Sequence, residues 1–325
     1  MLYLLAGLSA FILFCYVFDS YKVLPYLDET NLGFVSLCLG LTFIHLYIVR
    51  SLFFMFLFRR SGTNISFYST MRVLTGANFS ALFASGRLNE PIYVFLFHKK
   101  TKLPISQLVT FVVFERCLYV LLAAVFLAAS VFQKPSFAEQ ILRKVSDNIA
   151  LNTNPLYIAA AACILGCLFW VTWRMFRSHF IIFLSDFKSI ISSPILIGGS
   201  LGIYGFNFFV IFTYNLLLFQ VLSQNILFFD WDSFVFAVFV TSTSIIVGAV
   251  SILPIGVGPG EFTFAALLVS AGLSPEISSA FVLFSVFFYF TTVITTFIGV
   301  SWGRKIRQRP VLTKATNNEV GAIRG

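Results

Sequence analysis

The sequence contains unusually few charged residues. Only 11% of the 325 residues are Asp, Glu, Lys or Arg, whereas a soluble domain typically has about 25%. So few charged side chains cannot cover a soluble protein of this length, which excludes a soluble globular enzyme. Cysteine is also scarce, and all five cysteines lie inside apolar runs, where a thiol behaves as a small hydrophobic group. We therefore expect no disulfide framework, no metal site and no cofactor.

Hydrophobic residues make up 58% of the chain, and 42 residues are Phe. They form runs near the length of about 20 residues that a membrane-spanning helix needs. This predicts an all-α, polytopic helical membrane protein with about six full spans. The first run has no basic residue before it and no small-residue cleavage site, so we expect a retained span. The predicted spans are residues 2–18, 32–49, 105–132, 155–173, 194–222 and 276–302.

Two further apolar stretches are broken by Gly and Pro. One covers residues 70–100, with its break at Gly86–Pro91, and the other covers residues 233–272, with its break at Pro254–Gly260. Lipid cannot satisfy the backbone groups that such breaks free, so the breaks must face protein or a water-filled cavity. We predict that both stretches are re-entrant or broken helical hairpins.

Basic residues orient the spans, because they concentrate in cytoplasmic segments. They place both termini in the cytoplasm, with the protein in the cell membrane, and the two hairpins then open to opposite faces. Residues 304–325 hold six basic residues and one Glu, which is +5 of the net charge of +9. Such a tail fits anionic lipid headgroups, so the charge predicts no nucleic-acid partner. The other basic segments contain Arg59, Arg60 and Arg72, then Lys99, Lys100 and Lys102, then Arg174, Arg177 and Lys188.

The two hairpins also resemble each other in sequence. A shift of 171 residues places Glu90 on Glu261 and Pro104 on Pro275. With the opposed orientations, this predicts an inverted repeat with cores at about 70–132 and 233–302, a design in which transporters hold substrate near the membrane midplane. The alternative is ordinary helix kinks with chance matches. We expect one membrane domain over residues 1–303, followed by a basic cytoplasmic tail over 304–325.

Five charged residues lie inside the apolar runs, and each costs at least about 2.5 kcal/mol at membrane depth without a partner or water. Glu115 and Arg116 are adjacent on one helix and cannot face each other, so we expect their partners on the hairpins. Two interpretations stay open: an ion-pair network that only holds helices together, or a polar cavity for a charged headgroup or a coupling ion. Arg suits a headgroup because its planar guanidinium can bind a phosphate through two hydrogen bonds. The five residues are Arg87, Glu90, Glu115, Arg116 and Glu261.

Other polar residues in the spans give weaker signals. We expect His45 to be a hydrogen-bonded interior residue, and Arg50 to end the second span with its side chain extended to the cytoplasmic headgroups. Residues Ser51–Arg60 are predicted to form an interfacial helix. Asn207 and Asn215 are candidates for hydrogen bonds between helices.

Two short segments resemble ligand-binding loops. Asp230 and Asp232 have a spacing that could hold a metal and a nucleotide-sugar phosphate, but no further acids accompany them, so we expect a solvated loop. Gly256 and Gly258 precede an apolar helix whose first amides could bind an anion.

Two motif blocks carry most of these residues. The first runs from Arg59-Arg60 through Gly86-Arg87-Leu88-Asn89-Glu90 to Phe114-Glu115-Arg116, and the second is Leu253–Glu261. These blocks, and the layout of residues 30–303, resemble the flippase-like family related to the membrane domain of lysylphosphatidylglycerol synthase. The resemblance implies lipid translocation, or a supporting role in lipid-linked glycan or aminoacyl-lipid pathways. Our candidate substrate-binding residues are Arg87, Glu90, Glu115, Arg116, Gly256, Gly258 and Glu261.

Three positions depart from the family pattern. Asn89 replaces the usual Gly before Glu90, Tyr93 stands where many members carry an Arg, and Tyr119 stands where an Asp often follows Glu-Arg. The loss of a base and an acid together suggests that one ion pair was removed. The sequence also shows no soluble aminoacyltransferase domain after its last span, so we do not expect synthesis of lysylphosphatidylglycerol.

The leading hypothesis is a flippase-like protein, and not an enzyme, that binds or translocates a phospholipid or a polyprenyl-phosphate-linked lipid through a polar intramembrane cavity. Arg87 or Arg116 would hold the phosphate, while Glu90 and Glu261 would position these bases or carry a proton. One alternative is a non-transporting scaffold for a partner membrane enzyme such as a glycosyltransferase. The other is a membrane glycosyltransferase that uses the acids of residues 230–232.

Overall fold

The computed structural model of the protein describes residues 32–82, 89–135, 139, 187–188, 190–222, 231–250 and 259–307. Within these ranges every regular element is helical, which confirms the all-α prediction. The helices are α1 (Leu32–Phe43), a π-helical segment (Ile44–Val49), α2 (Arg50–Arg60), α3 (Phe67–Leu82), α4 (Asn89–Thr101), α5 (Ile105–Gln133), α6 (Pro194–Leu222), α7 (Trp231–Val250), α8 (Pro259–Ser270) and α9 (Pro275–Arg307).

Five stretches of the described chain are helical, long and apolar enough to cross a membrane, which confirms the prediction of a polytopic helical membrane protein. Four of the six predicted spans coincide with such helices. The other two, residues 2–18 and 155–173, lie outside the described residues. The five stretches are Gly33–Arg60, Ile105–Gln133, Pro194–Phe219, Trp231–Ala249 and Pro275–Ser301.

The first of these spans is longer than the sequence predicted. Phe43 and Arg50, at the two ends of the π-helical segment, both have right-handed helical dihedral angles, so the helix continues from α1 into α2. The prediction of an interfacial helix over Ser51–Arg60 is wrong, because three of the four Phe side chains of α2 are buried inside the protein. Phe54 and Phe58 both contact the ring of Phe97 on α4, at centroid distances of 5.2 and 4.9 Å.

The first broken stretch forms the pair of short helices that its sequence predicted. Helices α3 and α4 have 16 and 13 residues, about 24 and 20 Å at 1.5 Å per residue, so neither reaches across a 30 Å hydrocarbon core. The connection at residues 83–88 lies outside the described residues. Phe79 on α3 stacks on Phe297 of α9 with a centroid distance of 3.8 Å, which ties this hairpin to the last span.

The second broken stretch has unequal arms. Helix α7 has 20 residues and is long enough to cross the membrane, whereas α8 has 12. The two arms touch at small residues: the Ser244 hydroxyl donates to the Gly260 carbonyl at 2.7 Å, and the backbones of Gly248 and Gly260 are in contact. Small residues allow such close helix contacts in membranes. The inverted relation between the two hairpins stays a prediction.

Candidate functional site

A buried ion pair joins the first span to α5. The guanidinium of Arg50 donates to both carboxylate oxygens of Glu115, with Nε–Oε1 at 2.7 Å and Nη2–Oε2 at 3.1 Å. Tyr204 on α6 donates to Oε1 at 2.5 Å, and Arg50 Nη2 also donates to the Tyr93 hydroxyl at 3.3 Å. The two charged side chains are only 10% and 4% exposed. The prediction that Arg50 extends to the headgroups is therefore wrong, because the buried Glu115 carboxylate needs a compensating charge.

A second ion pair lies beside the first but is more open. Arg116 Nη2 lies 2.6 Å from Glu90 Oε1, and these side chains are 38% and 22% exposed. The prediction that a hairpin supplies the partner is confirmed for Arg116, since Glu90 lies in the first turn of α4. It is wrong for Glu115, whose partner Arg50 comes from the first span. We call Arg50, Glu90, Glu115 and Arg116 the charge tetrad.

The remaining predicted site residues are not part of the tetrad. Glu261 lies in the first turn of α8 and lines the larger of two adjoining cavities. Arg87, Gly256 and Gly258 lie outside the described residues, so their role stays a prediction.

Two cavities meet beside the tetrad. The smaller one, of about 180 Å³, is polar and is lined by Arg50, Glu115 and Arg116. The larger one, of about 310 Å³, extends toward α7, α8 and α9 and is mostly apolar, with Glu261 at its wall. We call them the polar cavity and the apolar cavity. The residues that line both are His45, Leu46, Tyr119 and Tyr289.

The π-helical segment explains how the first span presents two polar residues to one cavity. In an α-helix, residues five positions apart point about 140° apart at 3.6 residues per turn. A π-helix pairs residue i with residue i+5, which brings such residues near one face. His45 and Arg50 are five positions apart, and both line the polar cavity.

Hydrogen bonds between helices hold the walls of these cavities. His45 Nδ1 lies 2.8 Å from Asn207 Oδ1, and Asn215 Nδ2 donates to Thr241 Oγ1 at 2.8 Å. The predictions that His45 is a hydrogen-bonded interior residue, and that Asn207 and Asn215 bond across helices, are confirmed.

The two tyrosines at unusual positions also belong to this region. Tyr93 is fully buried and accepts a hydrogen bond from Arg50. Tyr119 lines both cavities.

Of the two acidic residues that resembled a metal-binding loop, the structure describes only Asp232, which lies away from the tetrad. Asp232 is in the first turn of α7, and its exposed carboxylate forms an ion pair with Lys134 at 2.8 Å. Asp230 lies outside the described residues. Across the described part of the chain, no three His, Cys, Asp or Glu side chains are close enough to hold a metal ion.

Comparison with known proteins identifies the family to which the chain belongs. No curated protein and no solved structure matches the chain. The family described as Lysylphosphatidylglycerol synthase TM region matches residues 2–299, which is most of the sequence. The protein is therefore an integral membrane protein that belongs to the family of the lysylphosphatidylglycerol synthase TM region.

Proposed function

We propose that this protein binds the phosphate of a membrane lipid at Arg116 and moves the lipid between the two leaflets. The observation that carries this proposal is the state of the Arg116 guanidinium. Its ion pair with Glu90 uses Nη2, and its buried Nε has no hydrogen-bond partner among the described residues. The side chain lines the polar cavity and is 38% exposed, so a phosphate oxygen there would find guanidinium N–H groups that Glu90 does not engage.

The other guanidinium of the tetrad fits a structural role. Arg50 already donates to both oxygens of Glu115 and to the Tyr93 hydroxyl. A ligand would have to replace bonds that a buried carboxylate needs, and an unpaired buried carboxylate is costly. Each of the two interpretations of these charges then applies to one pair. Arg50 and Glu115 hold helices together, while Arg116 and Glu90 form the headgroup-binding site.

The apolar cavity supports a lipid as the ligand. Its walls include Leu41, Val210, Phe264 and Phe281, and it meets the polar cavity at His45 and Tyr119. A phospholipid or a polyprenyl phosphate has the same division between a charged end and an apolar chain. A phosphate at Arg116 would place the first part of the tail among apolar side chains, where its burial is favourable.

The test is lipid movement by purified protein in liposomes. The probe is phosphatidylglycerol with a fluorescent acyl chain, and an impermeant quencher reports the leaflet. We expect Arg116→Gln to slow movement about tenfold or more, because losing a charged hydrogen bond costs about 1.5–3 kcal/mol. Arg59→Gln is the matched control, since Arg59 is exposed at the end of α2 and should move lipid as the unmodified protein does.

Three outcomes discriminate among the hypotheses. Movement that depends on Arg116 supports a translocase. Phosphatidylglycerol that binds in an Arg116-dependent way without changing leaflet would support the non-transporting scaffold. Equal rates in protein-containing and empty liposomes, with no binding, would contradict the proposal.

A further inference from the structure

His45 is a titratable side chain inside a membrane-spanning helix, and the proposed function gives it no role. It lies near the middle of the span Gly33–Arg60 and lines both cavities. The π-helical segment that contains it also brings it to the same cavity as Arg50. A lipid that places its phosphate at Arg116 and its tail in the apolar cavity would have to pass His45.

The hydrogen bond of His45 defines which ring nitrogen is available. Nδ1 lies 2.8 Å from Asn207 Oδ1, an oxygen that can only accept. Nδ1 therefore carries the hydrogen, and in the neutral ring Nε2 keeps its lone pair. No described residue forms a hydrogen bond to Nε2. The imidazole can thus accept a proton at Nε2 without losing its bond to Asn207.

The four charged groups of the tetrad balance one another before a ligand arrives. Arg50 on its own span is paired with Glu115, and Arg116 is paired with Glu90, so the tetrad has no net formal charge. Glu261 faces the apolar cavity from α8. The other titratable groups that line the two cavities or contact Arg50 are phenols, which are neutral near physiological pH: Tyr93, Tyr119, Tyr204, Tyr214 and Tyr289.

An arriving phosphodiester changes this balance by one negative charge. Charge that is not compensated is expensive inside the membrane, and a nearby cation lowers that cost. Of the groups that line the polar cavity, His45 is the one whose ordinary titration range lies between about pH 5 and 8. A proton on Nε2 would restore neutrality to the loaded polar cavity.

We propose that His45 takes up one proton from water when a lipid phosphate binds at Arg116, and releases it when the lipid leaves. No covalent bond to the lipid forms or breaks: Nε2 gains a proton to give the imidazolium, and loses the same proton on release. This inference rests on the proposed headgroup site and adds a coupling ion to it. The two binding events are linked thermodynamically. The proton on His45 raises the affinity for the lipid, and the lipid phosphate raises the affinity of His45 for the proton by the same factor.

The test measures binding of dioctanoyl phosphatidylglycerol to the full-length protein in detergent micelles between about pH 5 and 8. This lipid suits the test because its phosphodiester charge does not change over that range. We expect the Kd to rise with pH by up to about tenfold per pH unit, the limit for uptake of one proton. In His45→Gln the Kd should become independent of pH, while Arg116→Gln should weaken binding at every pH.

A second measurement does not depend on a variant. Calorimetric titration of the unmodified protein in two buffers of different ionisation enthalpy counts the protons taken up on binding. We expect a value near one at a pH where free His45 is neutral, and a value near zero in His45→Gln. Dioctanoylglycerol, which lacks the phosphate, should cause no uptake and serves as the ligand control.

The outcomes separate this inference from the proposed function. Binding that needs Arg116 but takes up no proton, with a Kd independent of pH, would overturn the inference and leave the headgroup site in place. A pH dependence that persists unchanged in His45→Gln would also overturn it, and would assign the proton to another group. Phosphatidylglycerol that binds no better than dioctanoylglycerol would remove both proposals.

Discussion

At the scale of single residues, Arg50 and Arg116 have the same charge and opposite environments. Arg50 is enclosed and fully engaged by Glu115 and Tyr93, whereas Arg116 is more than a third exposed and keeps an unbonded Nε among the described residues. Removing the charge of Arg50 should therefore have a different effect from removing the charge of Arg116. Loss of Arg50 leaves a carboxylate buried without its cation, and loss of Arg116 mainly removes a donor from the polar cavity.

This difference gives a prediction about stability. Arg50→Leu should destabilise the protein by about 3–5 kcal/mol, because breaking a buried ion pair leaves the Glu115 charge uncompensated. The double variant Arg50→Leu/Glu115→Leu should recover much of this loss, since no buried charge remains. The measurement is the temperature at which the protein in detergent loses its monodisperse elution peak. Arg59→Leu, at an exposed position, is the control and should melt with the unmodified protein. If the losses of stability in Arg50→Leu and in Glu115→Leu simply added up in the double variant, the role assigned to this ion pair would be wrong.

At the scale of helices, the contact between α7 and α8 is close enough to be tested with one methyl group. A Cβ on Gly260 would lie 3.0 Å from the Ser244 carbonyl oxygen and 3.1 Å from the Gly248 Cα. Both are backbone atoms and can move only with their helix. Gly260→Ala should therefore force the two arms apart and cost about 1–3 kcal/mol.

The matched control for Gly260→Ala is Gly202→Ala. Gly202 lies inside α6, and a Cβ there would meet no atom within 4 Å. This substitution should be neutral or stabilise by about 0.4–1 kcal/mol, because Ala has less freedom than Gly in the unfolded chain. Thermal melting in detergent would check both variants, and equal melting temperatures would show that the two arms of the hairpin can separate without cost.

Four of the described spans and the Glu90 partner of Arg116 could be predicted from the sequence, but the full length of the first span and the rest of the site could not. Apolar run length determines a span, and the break before Glu90 indicated a hairpin that would face Arg116. Arg50 was missed because an Arg followed by a Phe-rich run and two more Arg residues is also the pattern of an interfacial helix. The π-helical segment has no sequence signature. Helix α6 is apolar on every side, so its sequence does not show which face packs against a neighbouring helix. Tyr204, which lies on α6, therefore could not be identified as the donor to Glu115.

At the scale of the whole molecule, the inverted arrangement of the two hairpins can be tested by side-specific labelling. Lys100 is exposed near the end of α4, and Ala271 is exposed just after α8. In a cysteine-free background, Lys100→Cys should react with an impermeant maleimide only from the cytoplasmic side, and Ala271→Cys only from outside. This follows because the two hairpins are predicted to open to opposite faces. Labelling of both positions from the same side would rule out the inverted repeat.

The pairing of the four charges of the tetrad has an electrical consequence for the molecule as a whole. Membrane voltage does work of about 2.3 kcal/mol per 100 mV on one elementary charge that crosses the bilayer. Two guanidinium groups and two carboxylates that move together carry no net charge. A phosphodiester that arrives with a proton on His45 adds none either. The loaded and the empty site would then move equally easily at any membrane potential, so the lipid and pH gradients, and not the voltage, would set the direction of transport.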